Sequence, residues 1–177
     1  MLHKLLFFLV LLPTTNFSQT KFSSSKYNYS FVIPDGWYVK DKIYNPDVDA
    51  KIVDGKGNSF IISIKTFPTS SKKTMKQEMS TLSNSQIEEQ FGAMFGETKI
   101  VKRGTIIIDQ KEFYFMHLLT PFEKGLKLYH KQYAYSYGNR AITIDACSIE
   151  TYLDDTRYAF ALMLDTFKLL NLKNKTN

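Results

Sequence analysis

The chain has 177 residues, a formal net charge of +6, 44% hydrophobic residues, 15% aromatic residues and a single cysteine. This composition excludes a disordered chain, which has too few apolar residues to form a core, and a disulfide scaffold, which needs several cysteines. A basic, aromatic-rich chain is also typical of nucleic-acid-binding domains, so the rest of the sequence has to decide whether that class applies.

The first 18 residues have the pattern of a secretory signal peptide. Lys4 gives a basic start, Leu5 to Leu12 form an unbroken apolar run, and a polar segment then ends at Ser18. The run is far shorter than the roughly 20 apolar residues that span a membrane. We therefore expect cleavage near Ser18 and an exported protein, periplasmic or secreted, with no transmembrane span. Export argues against a nucleic-acid ligand.

The segment after this leader predicts strands joined by turns. Residues 19–26 are polar and serine-rich, which predicts a loose lead-in. Aromatic and apolar residues alternate from Tyr27 to Ile33 and predict a strand, which Pro34-Asp35-Gly36 ends as a turn. A hairpin follows, with strands at 51–53 and 59–65 around a loop that contains two glycines.

The period then changes to that of a helix. Apolar residues from Met75 to Phe95 predict two short helices with a break near Ser83-Asn84. Ser85-Gln86-Ile87-Glu88 fits a capping box at the start of the second helix, and Gly96 is a natural helix end.

The rest of the chain returns to strands and closes with a helix. Ser148 is expected to cap this final helix, whose apolar stripe reaches Phe167, and residues 171–177 form a polar tail. Short turns join the strands before it, which are predicted at 98–108, 112–119, 126–137 and 140–146.

Strands joined by short turns pair antiparallel. Some of them are apolar on both faces, for example at Ile106-Ile107-Ile108, and such strands need a cover on each side. The predicted helices are the available covers. The expected fold is therefore α+β, an antiparallel β-sheet flanked by helices, formed by a single domain at 27–170.

The segment from Tyr29 to Trp37, with the sequence YSFVIPDGW, resembles the opening of PsbP-like proteins. In that superfamily an aromatic strand runs into Ile-Pro-x-Gly-Trp, and a final helix ends as Leu164 to Lys168 do here. The superfamily includes the extrinsic PsbP subunit of photosystem II, a Ran-binding import factor and DcrB-like bacterial envelope proteins. The resemblance, over residues 27–170, implies an α/β/α sandwich and a non-catalytic accessory role in binding proteins.

The residues show no pattern that indicates catalysis. His117 and His130 are expected to be partly buried and satisfied by neighbours, and Cys147 is expected to be a buried, inert thiol. The sequence lacks a nucleophile elbow and paired metal ligands at the usual spacings. We therefore expect no enzyme, no metal and no cofactor.

The strand at 126–137 carries the strongest candidate for a binding site. Tyrosines and lysines occupy every second position and so share one of its faces, and tyrosine offers a large contact area with a polar tip. This pattern predicts a surface that binds a protein partner, although the same tyrosines could instead pack under a helix. The residues are Lys127, Tyr129, Lys131, Tyr133, Tyr135 and Tyr137.

An alternative function is the transport of an apolar small molecule between the sheet and a helix. Methionine side chains adapt to varied ligands, so a pocket that they line would suit a carrier. The candidate pocket residues are Met75, Met79, Met94 and Phe115.

Overall fold

The computed structural model of the protein describes residues 20–68 and 73–170. The expected signal peptide at 1–18 and the expected polar tail at 171–177 lie outside the described residues. The helices are α1 (Met75–Met79), α2 (Asn84–Phe95) and α3 (Leu153–Asp165). The strands are β1 (Thr20–Ser24), β2 (Tyr29–Ile33), β3 (Tyr38–Val39), β4 (Val48–Val53), β5 (Ser59–Thr66), β6 (Lys99–Ile108), β7 (Lys111–Pro121), β8 (Lys127–Tyr137), β9 (Arg140–Ile149) and β10 (Lys168–Leu169).

The strands form two antiparallel sheets. The larger sheet has the order β3-β4-β5-β9-β8-β7-β6, and the smaller has the order β1-β2-β10. Two-residue turns make the long hairpins, and Asp109 and Gln110 both take positive φ between β6 and β7. Gly138 does the same between β8 and β9. The predicted α+β class with a mainly antiparallel sheet is confirmed.

Different elements cover the two faces of the larger sheet. On one face, here called the α3 face, Phe60, Ile62 and Ile144 pack with Phe160 of α3 and with residues of the small sheet. On the other, the α2 face, Ile87 of α2 packs with a second set of buried residues, Tyr114, Met116 and Leu118. The double cover explains why several strands are apolar on both sides.

The lead-in expected to be loose at 19–26 is ordered for most of its length. Strand β1 pairs with β2 from Thr20 opposite Ile33 to Ser24 opposite Tyr29. The Phe22 and Phe31 rings stack with their centroids 5.2 Å apart. Backbone pairing and one aromatic contact therefore outweigh the polar, serine-rich composition of this segment.

Helix α2 begins where the break was predicted, but its cap is not Ser85. The Ser83 hydroxyl accepts a hydrogen bond from the Gln86 amide at 3.2 Å, and the Gln86 side chain accepts one from the Ser83 amide at 2.8 Å. The capping box is therefore two residues earlier than expected. The prediction that Gly96 ends the helix is confirmed, since it is the C-cap residue with φ of 82°.

Ser148 does not cap α3, contrary to expectation. Strand β9 continues past it to Ile149, and a short 3-10 turn precedes the first residue of α3. Ser148 is fully buried and donates a hydrogen bond to the Asn58 side-chain oxygen at 2.9 Å. Thr156 of α3 in turn donates to the Ser148 hydroxyl at 3.3 Å. The serine thus joins the sheet to the helix from inside the core.

Candidate functional site

The predicted tyrosine strand is β8, and the α3 face receives its odd-numbered residues. Tyr133 is only 7% exposed, in contact with the core under α3. Tyr135 and Tyr137 are half-buried at the edge of the same core. Lys127 is exposed, whereas Tyr129 and Lys131 are half-buried. The six residues therefore share one face, and the core under α3 reaches only the second half of the strand.

Three basic side chains line up across the open part of this face. Lys102 of β6 lies directly opposite His117 of β7, and His117 lies directly opposite Lys131 of β8. Neighbouring strands are about 4.8 Å apart, so the three residues form one row perpendicular to the strands. The strand register alone therefore places one lysine on each side of the imidazole.

Aromatic rings border this row. The Lys102 ammonium lies 5.7 Å from the centre of the Phe115 ring, and the Lys131 ammonium lies 5.9 Å from the centre of the Tyr129 ring. A Cβ atom at Gly104 would lie 3.2 Å from the Phe115 ring, so glycine allows that ring to lie close to β6. We name Lys102, Phe115, His117, Tyr129 and Lys131 the basic row surface.

The electrostatic environment keeps His117 uncharged. Burial, together with the positive charges of Lys131 and Lys102, lowers the pKa of His117 to about 4. Its Nδ1 atom is 3.3 Å from the Tyr129 hydroxyl, and burial raises the pKa of that hydroxyl. The neutral ring can therefore accept the tyrosine proton in a hydrogen bond at neutral pH.

The two lysines of the row have no ion-pair partner within residues 20–68 and 73–170. Burial and the charge of Arg157 lower the pKa of Lys131. Arg157 itself pairs with Asp154 at 2.7 Å. One carboxylate, Asp165, lines the same depression beside α3 as Lys131 but makes no salt bridge to it. The basic row surface therefore carries positive charge that its neighbours leave largely uncompensated.

The alternative methionine pocket is not formed as predicted. Met75 and Met79 pack on the α2 face with Tyr114 and Met116, whereas Phe115 points to the α3 face. Met94 is 66% exposed. Successive residues of a strand point to opposite sides of a sheet, so Phe115 and the methionines lie on different faces and cannot line one cavity.

A second titratable cluster, which sequence analysis missed, lies on the α2 face. Strand pairing puts His130 opposite Cys147, with the ring nitrogen Nε2 4.0 Å from the sulfur and 3.2 Å from the Thr120 hydroxyl. The other ring nitrogen is 3.5 Å from an Asp145 oxygen, which is ion-pair distance without a directed hydrogen bond. The pairing of β8 with β7 and β9 brings these residues together, so their local sequence carries no signal of the cluster.

The chemistry of this cluster is that of a buried ion pair. Burial opposes protonation of His130, but Asp145 and Cys147 outweigh that effect and raise the pKa of the imidazole to about 10. Cys147 is 8% exposed and His130 is 9% exposed, so the thiol has little access to a substrate. The cluster holds β8 and β9 together and is a poor candidate for catalysis.

A groove of about 420 Å³ lies between the turn after β2 and helix α3. Asp35 and Trp37 form one wall, and Asp155, Tyr158 and Leu162 form the other. The Trp37 ring packs edge-on against Phe160, 5.5 Å between ring centres. The volume lies in the range of small-molecule sites, but its carboxylates make it unlike the apolar pocket predicted from the methionines.

The described part of the chain contains neither a metal site nor a membrane-spanning helix. Its His, Cys, Asp and Glu side chains form no group of three that could hold a metal ion. None of the described helices is long and apolar enough to cross a membrane.

No protein-family model matches the sequence, and no curated protein matches it. Solved structures do match. The solution structure of cyanobacterial PsbP from Synechocystis sp. PCC 6803 covers 89% of this chain and 95% of its own, with a TM-score of 0.64 and 17% identity. A crystal structure from Bacteroides thetaiotaomicron covers 89% of this chain and 50% of its own, with a TM-score of 0.60 and 12% identity. The chain therefore has the PsbP-like fold that the Ile-Pro-Asp-Gly-Trp segment led us to expect.

Proposed function

We propose that this is an exported, non-catalytic accessory protein that binds a protein partner through the basic row surface. The observation that carries the proposal is the part of the α3 face beyond the core, where half-buried aromatic rings border two lysines that form no ion pair within the described residues. The PsbP-like fold supports an accessory role, and the apolar run at Leu5 to Leu12 supports export.

The shape of the surface favours a protein over a small molecule. Phe115, Tyr129 and Lys131 lie along a sheet face, a form that suits a broad contact better than an enclosed ligand. Tyrosine is enriched in the residues that dominate binding energy at protein interfaces. The adjoining depression holds only about 170 Å³, which is small for a cofactor site.

A comparison of variants in envelope extract tests this function. The substitutions should avoid Tyr133, whose burial would make its loss a test of folding. We expect the wild-type protein to retain a partner that the Tyr129→Ala, Lys131→Ala variant loses. The control is Tyr44→Ala, Lys42→Ala, at exposed positions in the loop between β3 and β4, and it should retain the partner. The same retained proteins for all three chains would contradict the proposal.

Export has its own test, independent of the partner. The intact mass of the protein recovered from the periplasm or medium should correspond to a chain that begins at Gln19. A chain recovered only from the cytoplasm at its full length would contradict export and leave the binding experiment unaffected.

A further inference from the structure

The charges of the basic row surface indicate which kind of partner segment it would bind. We propose that the partner presents an acidic segment, with carboxylates at Lys102 and Lys131, and that docking places a proton on His117. This inference rests on the proposed function, because it names the kind of protein segment that the same surface would bind.

The geometry matches a carboxylate-rich chain. Lys102 and Lys131 lie on strands two positions apart in the sheet, roughly 10 Å from each other. Alternate residues of an extended chain lie about 7 Å apart, so acidic side chains at such positions could reach both lysines. The bordering rings of Phe115 and Tyr129 would pack against the aliphatic parts of the segment, and charge complementarity would set its position.

The charged and titratable groups that face His117 come from the strands on both sides of it. Lys102 faces it from β6, and Lys131, Tyr129 and Tyr133 face it from β8. The two lysines repel an imidazolium, whereas carboxylates of a docked segment would attract it. Binding would therefore favour the protonated ring, and by linkage a lower pH would favour binding.

A protein segment fits the surface better than a lipid membrane. Polybasic sites that hold anionic lipid surfaces use about four to eight lysines or arginines. The row offers two lysines, beside rings that are half-buried and Arg157, which already pairs with Asp154. Two lysines at fixed positions suit individual carboxylates of a protein segment better than a lipid surface.

A hexa-aspartate peptide is the probe, with its affinity measured by calorimetry at pH 7.5 and pH 5.5 and constant ionic strength. Lys102→Gln, Lys131→Gln should weaken binding at least tenfold. The control variant, Lys51→Gln, Lys65→Gln, removes the same charge from the α2 face and should bind as the wild type does.

If docking returns His117 to its ordinary pKa, wild-type affinity should rise up to about tenfold from pH 7.5 to pH 5.5. His117→Gln should lose that rise while it keeps its affinity at pH 7.5.

Four results would overturn the inference. The first is an equal loss of affinity in both lysine variants, and the second is an unchanged pH dependence in His117→Gln. The third is tighter binding to phosphatidylglycerol vesicles than to the peptide, and the fourth is no binding of the peptide. If the peptide fails while the envelope partner is still retained through Tyr129 and Lys131, the acidic segment is wrong and the proposed function stands. If both experiments fail, the proposed function fails as well.

Discussion

Two histidines on neighbouring strands have pKa values displaced in opposite directions. His117 lies on the α3 face between two lysines, and its pKa is lowered to about 4. His130 lies on the α2 face beside Asp145 and Cys147, and its pKa is raised to about 10. The two rings start from the same ordinary value of 6.5 and differ because of burial and neighbouring charge.

The His130 ion pair predicts a pH dependence of stability. A group whose pKa is higher in the folded state stabilises the fold fully below pH 6.5 and loses that contribution as the pH rises through about 10. Asp145→Asn should lower the free energy of unfolding by about 3–5 kcal/mol at pH 6, because it leaves a buried charge without its partner. Urea unfolding at pH 6 and pH 10.5 checks this. An equal loss at both pH values would contradict it, and Asp154→Asn on the exposed side of α3 is the control.

His117 predicts the opposite trend on the acid side. The unfolded chain binds a proton at this residue near pH 6.5, whereas the folded chain resists protonation until about pH 4. The contribution of His117 to stability should therefore fall between pH 6.5 and pH 4, and His117→Gln should unfold less readily than the wild type at the acid end. Thermal unfolding at pH 7 and pH 4.5 measures the difference. A variant that loses stability as steeply as the wild type would contradict this assignment.

Sequence analysis placed both histidines on strands but could not foresee their charge states. The alternation along β7 puts His117 on one face with Phe113, Phe115 and Leu119. Its two lysine neighbours come from other strands, and a shift of one residue in pairing would have removed them. The Lys127 to Tyr137 pattern could be read directly, whereas the row across the strands could not.

At the scale of elements, helix α2 is held by few contacts. Ile87 is its one fully buried residue within the described chain, so its N-terminal cap should contribute a noticeable share of its stability. Ser83→Ala should destabilise the protein by about 1 kcal/mol, because it removes the acceptor for the Gln86 amide. Ser85→Ala, which removes only an exposed contact with the Ser83 hydroxyl, is the matched control and should change stability by less than about 0.5 kcal/mol. Chemical unfolding of both variants decides between them, and a larger effect at Ser85 would restore the cap expected from sequence.

The junction between β5, β9 and α3 depends on a buried polar network. The Asn58 side chain accepts from Ser148 at 2.9 Å and donates to Asp54 at 2.6 Å, and Thr156 completes the chain from α3. Asn58→Ala should cost about 1–3 kcal/mol, because it leaves buried partners unsatisfied. Denaturant unfolding measures this. A cost under about 0.5 kcal/mol would show that the network is replaceable. The control is Asn45→Ala, which removes an exposed hydrogen bond from the Asp47 amide in the β3–β4 loop.

The elements themselves followed from local patterns, whereas the cap of α2 and the end of β9 did not. Alternation and turn residues identified β2 and the strands from β4 to β9, and the helical period identified α2 and α3. Ser83 and Ser85 are both acceptable caps, so the choice depends on where packing of Ile87 begins the helix. Ser148 resembles a cap in sequence, but pairing with β8 extends β9 past it. Tertiary contacts decide these boundaries.

For the whole molecule, the proposed binding surface follows from incomplete coverage of the larger sheet. Seven strands span roughly 29 Å, whereas one helix is about 10 Å wide. On the α3 face, the helix and the small sheet cover the core around Phe60 and Tyr133. The basic row surface lies beside that core, with Lys102 exposed and His117 half-buried. Sequence analysis found the tyrosine strand but could not say which half of it α3 covers.

Site-specific crosslinking in living cells tests the central claim most directly. A benzoyl-phenylalanine in place of Tyr129 sits on the basic row surface, and the same residue in place of Tyr44 sits near the far edge of the sheet, where the side chain is 94% exposed. We predict a discrete crosslinked protein from position 129 that is absent from position 44. The same adduct from both positions, or none from position 129 in cells that export the protein, would contradict the claim.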